Sequence, residues 1–209
     1  MNQKTLLSAK KAWKEAEVIL VGAGAGMGVD SGLPDFRGNS GFWKAYPPLE
    51  KLGIQFEEMA NPYWFIKNPS LAWGFYGHRF NLYRKTNPHL GFKILFERHT
   101  KEKTPMIVFT SNVDGHFQSA GFTEEQILEC HGSLMHFQCL ASCGNPIWQV
   151  KPELILNIDK NSLLANEPLP SCPGCGSIAR PNILMFSDFG WDSQRTYEQK
   201  QRFEKWIEE

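Results

Sequence analysis

Four cysteines stand in two pairs, Cys139-x-x-x-Cys143 and Cys172-x-x-Cys175. Thiolates at these spacings can close a tetrahedral site around zinc, and Gly144, Pro173, Gly174 and Gly176 supply tight turns at each knuckle. Four thiolates leave no open coordination position, so such a metal is structural rather than catalytic. Elsewhere His131 precedes Gly132. Histidine titrates near neutrality and is the usual general base, although a lone one is more often structural. The run Thr110-Ser111-Asn112-Val113-Asp114-Gly115 offers an amide and a carboxylate, which either serve a ligand or cap the next helix. Gly24-Ala25-Gly26 follows the apolar run VILV at 18–21. A glycine turn with positive φ that opens a helix can seat a phosphate on unpaired N–H groups, but a bland turn or an ordinary dinucleotide fingerprint reads the same way.

These groups need elements to position them. Residues 18–21 suit a buried strand, and residues 5–16 carry apolar side chains at helical spacing, which predicts an amphipathic helix packed beside it. Residues 38–48 read as a Gly/aromatic loop whose Phe42, Trp43 and Tyr46 fill a core or cover a ligand. Three helices are expected over 56–67, 69–86 and 89–101, the last two starting near prolines. A second strand at 105–110 runs straight into Ser111, and a third at 126–130 delivers His131. The stretch between the first two strands, 22–104, far exceeds the roughly thirty residues of a plain βαβ unit. It therefore contains a helical insertion standing over the carboxyl edge of the sheet, where ligands of open α/β sheets bind. Asp192 or Ser193 caps a last helix through Glu209.

Composition bounds the class. With 209 residues, 42% hydrophobic and 13% aromatic, the chain can bury the core of one domain and a smaller module. Lys plus Arg and Asp plus Glu both count 22, so no global charge indicates nucleic acid or an anionic membrane. No apolar run reaches membrane-spanning length, and residues 1–16 lack the apolar core of a signal peptide, which predicts a cytoplasmic protein. In a reducing compartment five cysteines between Cys130 and Cys175 favour metal over disulfides.

The glycine turn is followed by Gly32-Leu33-Pro34-Asp35-Phe36-Arg37, and the whole string resembles the NAD-binding signature of sirtuins. Thr110 to Asp114 resembles the T-Q-N-x-D motif of that family, with His116, Ala120 and Gly121 in register, and His131-Gly132 matches its H-G dipeptide. Asn87-Pro88-His89-Leu90 is similar to a family helix start, and the cysteine spacing is similar to the family's zinc module. Arg180-Pro181-Asn182-Ile183-Leu184-Met185-Phe186 looks like the R-P-x-V-V-x-F strand. The resemblance implies an α/β fold: a Rossmann-like parallel sheet with a small lobe made of a helical insertion and a zinc-ribbon-like module. One domain, 1–209, is expected, with Rossmann-like parts at about 1–38, 105–133 and 181–209, the insertion at about 39–104 and the zinc module at about 134–180.

The implied reaction is NAD-dependent deacylation of an acylated lysine in a protein or peptide, with release of nicotinamide and O-acyl-ADP-ribose. The implied catalytic residues are His131, which removes a ribose proton, and Asn112, which contacts the nicotinamide ribose. Gly24, Ala25, Gly26, Met27, Asp35, Phe36, Arg37, Ser111, Asn112, Asp114 and His131 are implied to bind NAD, and Cys139, Cys143, Cys172 and Cys175 to bind zinc. Two departures stand out. Ser111 replaces the family's Gln with a shorter group, and Ser187-Asp188 replaces its Gly-Glu. The family's closing strands, which hold the adenosine half of NAD, are not in these 209 residues, so an unpaired sheet edge is expected to promote self-association. An NAD hydrolase or ADP-ribosyltransferase using the same pocket, and a non-catalytic zinc-stapled binding module, are the alternative readings.

Overall fold

The computed structural model describes residues 2–34 and 38–209. Two three-stranded sheets organise it. The first is parallel, in the order β1 (Ile19–Ala23), β2 (Met106–Thr110), β3 (Ile127–Glu129), with Ile19 opposite Met106 and Val108 opposite Ile127. Apolar, largely β-branched runs suit strands of this kind. One face packs on α8 (Leu90–Lys101) and α9 (His116–Ser119), where Phe92, Met106, Val108, Phe117, Phe122 and Ile127 form a core. On the other face α10 (Gln194–Glu208) docks on β3, its Phe203 ring 5.9 Å from that of Phe109, while Leu20 on edge strand β1 stays 54% exposed. The docking is polar at its centre. Arg195 donates to Glu124 and Glu129 at 2.5 Å each, and the Glu129 amide donates to the buried Gln199 side chain.

The second sheet is antiparallel, in the order β5 (Trp148–Gln149), β4 (Gly132–Cys139), β6 (Ala179–Ile183). It shares one core with a helical lobe of α3 (Gly38–Ala45), α4 (Pro47–Lys51), α5 (Phe56–Met59), α6 (Trp64–Lys67) and α7 (Pro69–Lys85). α7 is buried on most sides, and its Trp73 indole donates to the Ala179 carbonyl of β6 at 3.0 Å.

Several expectations are corrected. Residues 38–48 are not a loop: they form α3 and the start of α4, and Phe42 and Tyr46 are core residues. The single helix expected over 56–67 is split into α5 and α6 around Asn61-Pro62, where proline cannot continue the hydrogen-bond ladder. The strand beginning near Arg180 is β6, which pairs with β4 in the second sheet and not in the Rossmann-like one. α1 (Gln3–Glu15) forms as expected but buries no residue, so packing is not its role. It is tied by the Arg98 guanidinium, which donates to the carbonyls of Trp13, Lys14 and Ala16 at its C-terminus and lies over the Trp13 ring. No helix among the described residues is long and apolar enough to cross a membrane.

Candidate active site and metal centre

All three parallel strands end at one carboxyl edge, because Ala23, Thr110 and Glu129 stand side by side in register. The chain beyond each strand is then laced to its neighbour. Ser111 N donates to Ala23 O at 3.1 Å, Cys130 N to Thr110 O at 3.0 Å, and the Asn112 side-chain amide to Gly24 O at 3.0 Å. Gly24 is the extended N-cap of α2 (Ala25–Asp30), and no glycine from Gly22 to Gly28 has positive φ. The turn expected there is therefore not left-handed: the strand enters the helix directly, and what a side chain at Gly24 would meet is Ser111 Oγ, at 3.5 Å.

Two cavities open along this edge. The first, about 260 Å³, is lined by Ala25, Gly28, Leu33, Pro34, Phe56, Arg79, Tyr83 and residues 111–114. The second, about 410 Å³, lies against β6 and is lined by Tyr76, His131, Ile183 and Phe186 among others. Phe56, Arg79, Ser111 and Val113 line both. Asn112 and Asp114 thus face one chamber and His131 the other, across a wall that includes Ser111.

Asp114 also caps α9, accepting from the His116 amide at 2.9 Å, so the capping and ligand readings are not exclusive. Burial pushes its carboxyl above the usual range, against the lowering pull of His116 and Arg79. His131 is exposed, in the two-residue link from β3 to β4. Gly132 after it has φ +75, and a Cβ there would lie 2.2 Å from Asn182 O of β6, so only glycine lets β6 pass.

The structure brings together Gly24, Ala25, Ser111, Asn112, Asp114 and His131. Gly26 does not line either cavity, and Met27 packs into the core under the parallel sheet. Asp35, Phe36 and Arg37 lie outside the described residues. Sequence reasoning missed the α7 face. Arg79, 9% exposed, donates to the Tyr83 hydroxyl from Nε and an Nη at 3.0 and 2.8 Å and stacks on Phe75 and Tyr83. Its signal was an arginine inside an aromatic helix with a tyrosine four residues on.

The four paired cysteines converge. Their Sγ atoms all lie within 4.8 Å of one another, Cys139 to Cys175 at 3.6 Å and Cys143 to Cys172 at 3.7 Å. A tetrahedron with Zn–S bonds of about 2.3 Å has edges of about 3.8 Å, so the donor set fits zinc. Hydrogen bonds from the Ser177 hydroxyl and amide push the Cys175 thiol down, while Cys143, against the lowering Asn145 backbone hydrogen bond, is pushed up by the neighbouring thiols, so the four share protons as one cluster. Cys130 stands apart from the cluster, and burial pushes its thiol up.

Comparison with known proteins agrees with this geometry. The sequence model of the Sir2 family matches residues 24–206. NAD-dependent protein deacylase 1 of Caldanaerobacter subterraneus subsp. tengcongensis is 32% identical over 179 residues, covering 86% of this chain and 64% of that protein. The mitochondrial NAD-dependent protein deacylase sirtuin-5A of Xenopus laevis is 30% identical over 197 residues, 88% of this chain and 60% of its own length. The NAD-dependent protein deacylase of Aquifex aeolicus, 33% identical, is covered over 59% of its length, so the chain spans less than two thirds of these curated relatives. A crystal structure of a Sir2 homologue in complex with NAD superposes with a TM-score of 0.68 at 28% identity, covering 98% of this chain and 69% of the other.

Proposed function

The chain belongs to the Sir2 family, and from that premise we propose that it is an NAD-dependent protein lysine deacylase with a structural zinc. The observation that carries this reading is the pair of abutting cavities, with Asn112 and Asp114 in one and His131 in the other. When bound, NAD would supply an anomeric carbon from which nicotinamide leaves as the acyl oxygen bonds to it, and the ribose hydroxyl on which the acyl group ends. Asn112, tethered to Gly24 O, is suited to orient a ribose, and buried Asp114 to accept from a carboxamide. His131, exposed at the rim of the second cavity, is suited to take a hydroxyl proton. Ala25 at the start of α2 and residues 111–114 would hold the first half of NAD, and Cys139, Cys143, Cys172 and Cys175 would hold zinc away from the reaction.

The acyl-lysine enters the second cavity, whose lining includes the exposed Leu184 and Phe186 just beyond β6. Arg79 places a buried cation in the wall of an otherwise largely apolar chamber. An acyl chain ending in a carboxylate can pair with that cation, so succinyl-lysine is expected to outcompete acetyl-lysine. We assign the protein to the cytoplasm on its reduced cysteine cluster.

Incubation with NAD and acetylated and succinylated peptides, read by mass spectrometry, tests the reading. O-acyl-ADP-ribose is expected, and His131→Ala should lower its formation by about a hundredfold to ten-thousandfold while leaving NAD binding intact. Unchanged turnover in that variant removes His131 from the mechanism. Free ADP-ribose without peptide deacylation would instead favour an NAD hydrolase, the reading to which Ser111 in place of an amide side chain lends support.

A further inference from the structure

A third cavity lies on the opposite flank of α7, outside the two chambers. A strap of residues 152–165 is zipped along that helix by a stripe of positions three and four apart. Ala165 N donates to Ser70 O at 2.8 Å, Asn81 exchanges two hydrogen bonds with the Leu156 backbone at 2.7 and 3.2 Å, and Arg84 donates to the carbonyls of Leu154 and Pro152. Gly74 is what allows this closeness, since a Cβ there would meet Leu163 O at 1.8 Å. The strap's own turn is fixed by Asp159, whose carboxylate accepts from the amides of Asn161 and Ser162.

Strap, α7 and the α3–α4 corner enclose a space of about 490 Å³, within the range of small-molecule sites. Its floor is apolar, from Ala45, Leu82, Leu156, Ile158 and Leu163. The polar groups in its wall include Lys85, Lys160 and His78, and no Asp or Glu lines it among the described residues. His78 is held in place by the Tyr46 hydroxyl, 3.2 Å from Nδ1. Burial, with Arg79 adding to it, pushes the His78 ring down toward its neutral form, so the charge in the wall comes from Lys85 and Lys160. An apolar floor edged by two ammonium groups is the complement of an amphipathic anion.

We propose that this cavity is a binding site for a small carboxylate with an apolar body, its tail among Leu82, Leu156, Ile158 and Leu163 and its head toward Lys85, Lys160 and His78. Charge complementarity selects the head and the buried floor the tail. The site stands back to back with the candidate active site, since His78 shares α7 with Tyr76, Arg79 and Tyr83.

Octanoate serves as the probe, with 1-octanol and octylamine as controls, and binding is followed by ligand-observed NMR and by the shift of the His78 ring signals. The measurement needs no turnover, so it stands or falls independently of the deacylase reading. Saturable octanoate binding is expected, with octanol weaker and octylamine excluded. Lys85 and Lys160 are exposed, so the variant K85E/K160E should melt as the parent does while losing about threefold to tenfold in octanoate affinity. Absence of saturation, equal binding of octanol, unchanged affinity in the double variant, or displacement of octanoate by a succinyl-lysine peptide would each overturn the proposal.

Discussion

The two sheets are three strands each, yet they are held by different forces. The parallel sheet rests on a conventional apolar core, with Phe92, Val108 and Phe117 at 0–2% exposure. The antiparallel sheet shares its apolar side with the helical lobe, but its far end also carries the cysteine cluster, and its turns are pinned by buried polar groups. Gln138 and Asn182 bind each other and the backbone at Gly190 and Asp192. Arg180, 1% exposed, forks onto Asp188, which accepts as well from the Met185 amide. The α8 face of the parallel sheet is stabilised chiefly by burial, which tolerates repacking, while its α10 face is also pinned by Arg195, Glu129 and Gln199. The antiparallel sheet depends on groups that are costly to unpair.

Metal removal should separate them most sharply. Chelation, or Cys172→Ala, is expected to unfold the cysteine-bearing end while the β1–β3 core keeps its hydrogen-exchange protection, because structural zinc contributes roughly 10–16 kcal/mol in small sites. Elemental analysis should give one zinc per chain, and protein purified without chelator that lacks stoichiometric metal would refute the site. Next come two substitutions of similar cost and opposite chemistry. Phe92→Ala should destabilise by about 3–5 kcal/mol through its cavity. Asp188→Asn should cost about as much by leaving Arg180 buried with a weaker partner. Denaturant melts of both, repeated as Phe92→Leu and Asp188→Glu, sharpen the contrast: the apolar swap should recover most of the loss and the shifted carboxylate little of it.

A smaller effect should appear at His136 of β4, which feels the Arg195 charge of α10. Burial, with Arg195 adding to it, lowers the His136 ring to about 4. Its folded state binds fewer protons than its unfolded one between that value and the free histidine value of about 6.5. Stability from this group is thus present above about pH 6.5 and is lost as pH falls through the window, by at most about 1.4 kcal/mol per pH unit. His136→Gln should flatten that limb of the stability profile, and an unchanged slope would show that the proton goes elsewhere.

The difference between the sheets also explains what could be read in advance. β1 and β2 are largely apolar runs and the cysteine pairs have metal-ligand spacing, so the two strands and the cysteine cluster were legible from type and spacing. Ser111, Asn112 and Asp114 were placed at a strand end in the same way, but type and spacing left them open between ligand and cap, and only the resemblance gave them roles. Three features were not. β6 was misplaced because resemblance to a strand motif does not say which sheet that strand joins, and the Asn182 within it is paired with Gln138, distant in sequence. The aromatic stretch of α3 looked like a loop because Gly38 and Gly41 weaken helix propensity, which the burial of Phe42 and Tyr46 overrides. Arg79 was invisible as a site residue because its value comes from α7 lying across both cavities, a tertiary fact.

His131 is one of the two residues that join β3 to β4, and so it stands at a joint between the two sheets. Its backbone carbonyl is gripped by the Leu184 amide from β6's extension, while the chain before it is anchored by Thr110. A joint reports the misalignment of either part it connects. In the proposed deacylase, loss of a zinc held at the far end of β4 would tilt the imidazole and lower turnover, with the metal site outside both cavities. A chelator-sensitive assay on this protein would be a mechanical readout, transmitted along eight residues of strand, and a zinc requirement seen in kinetics alone says nothing of a Lewis acid.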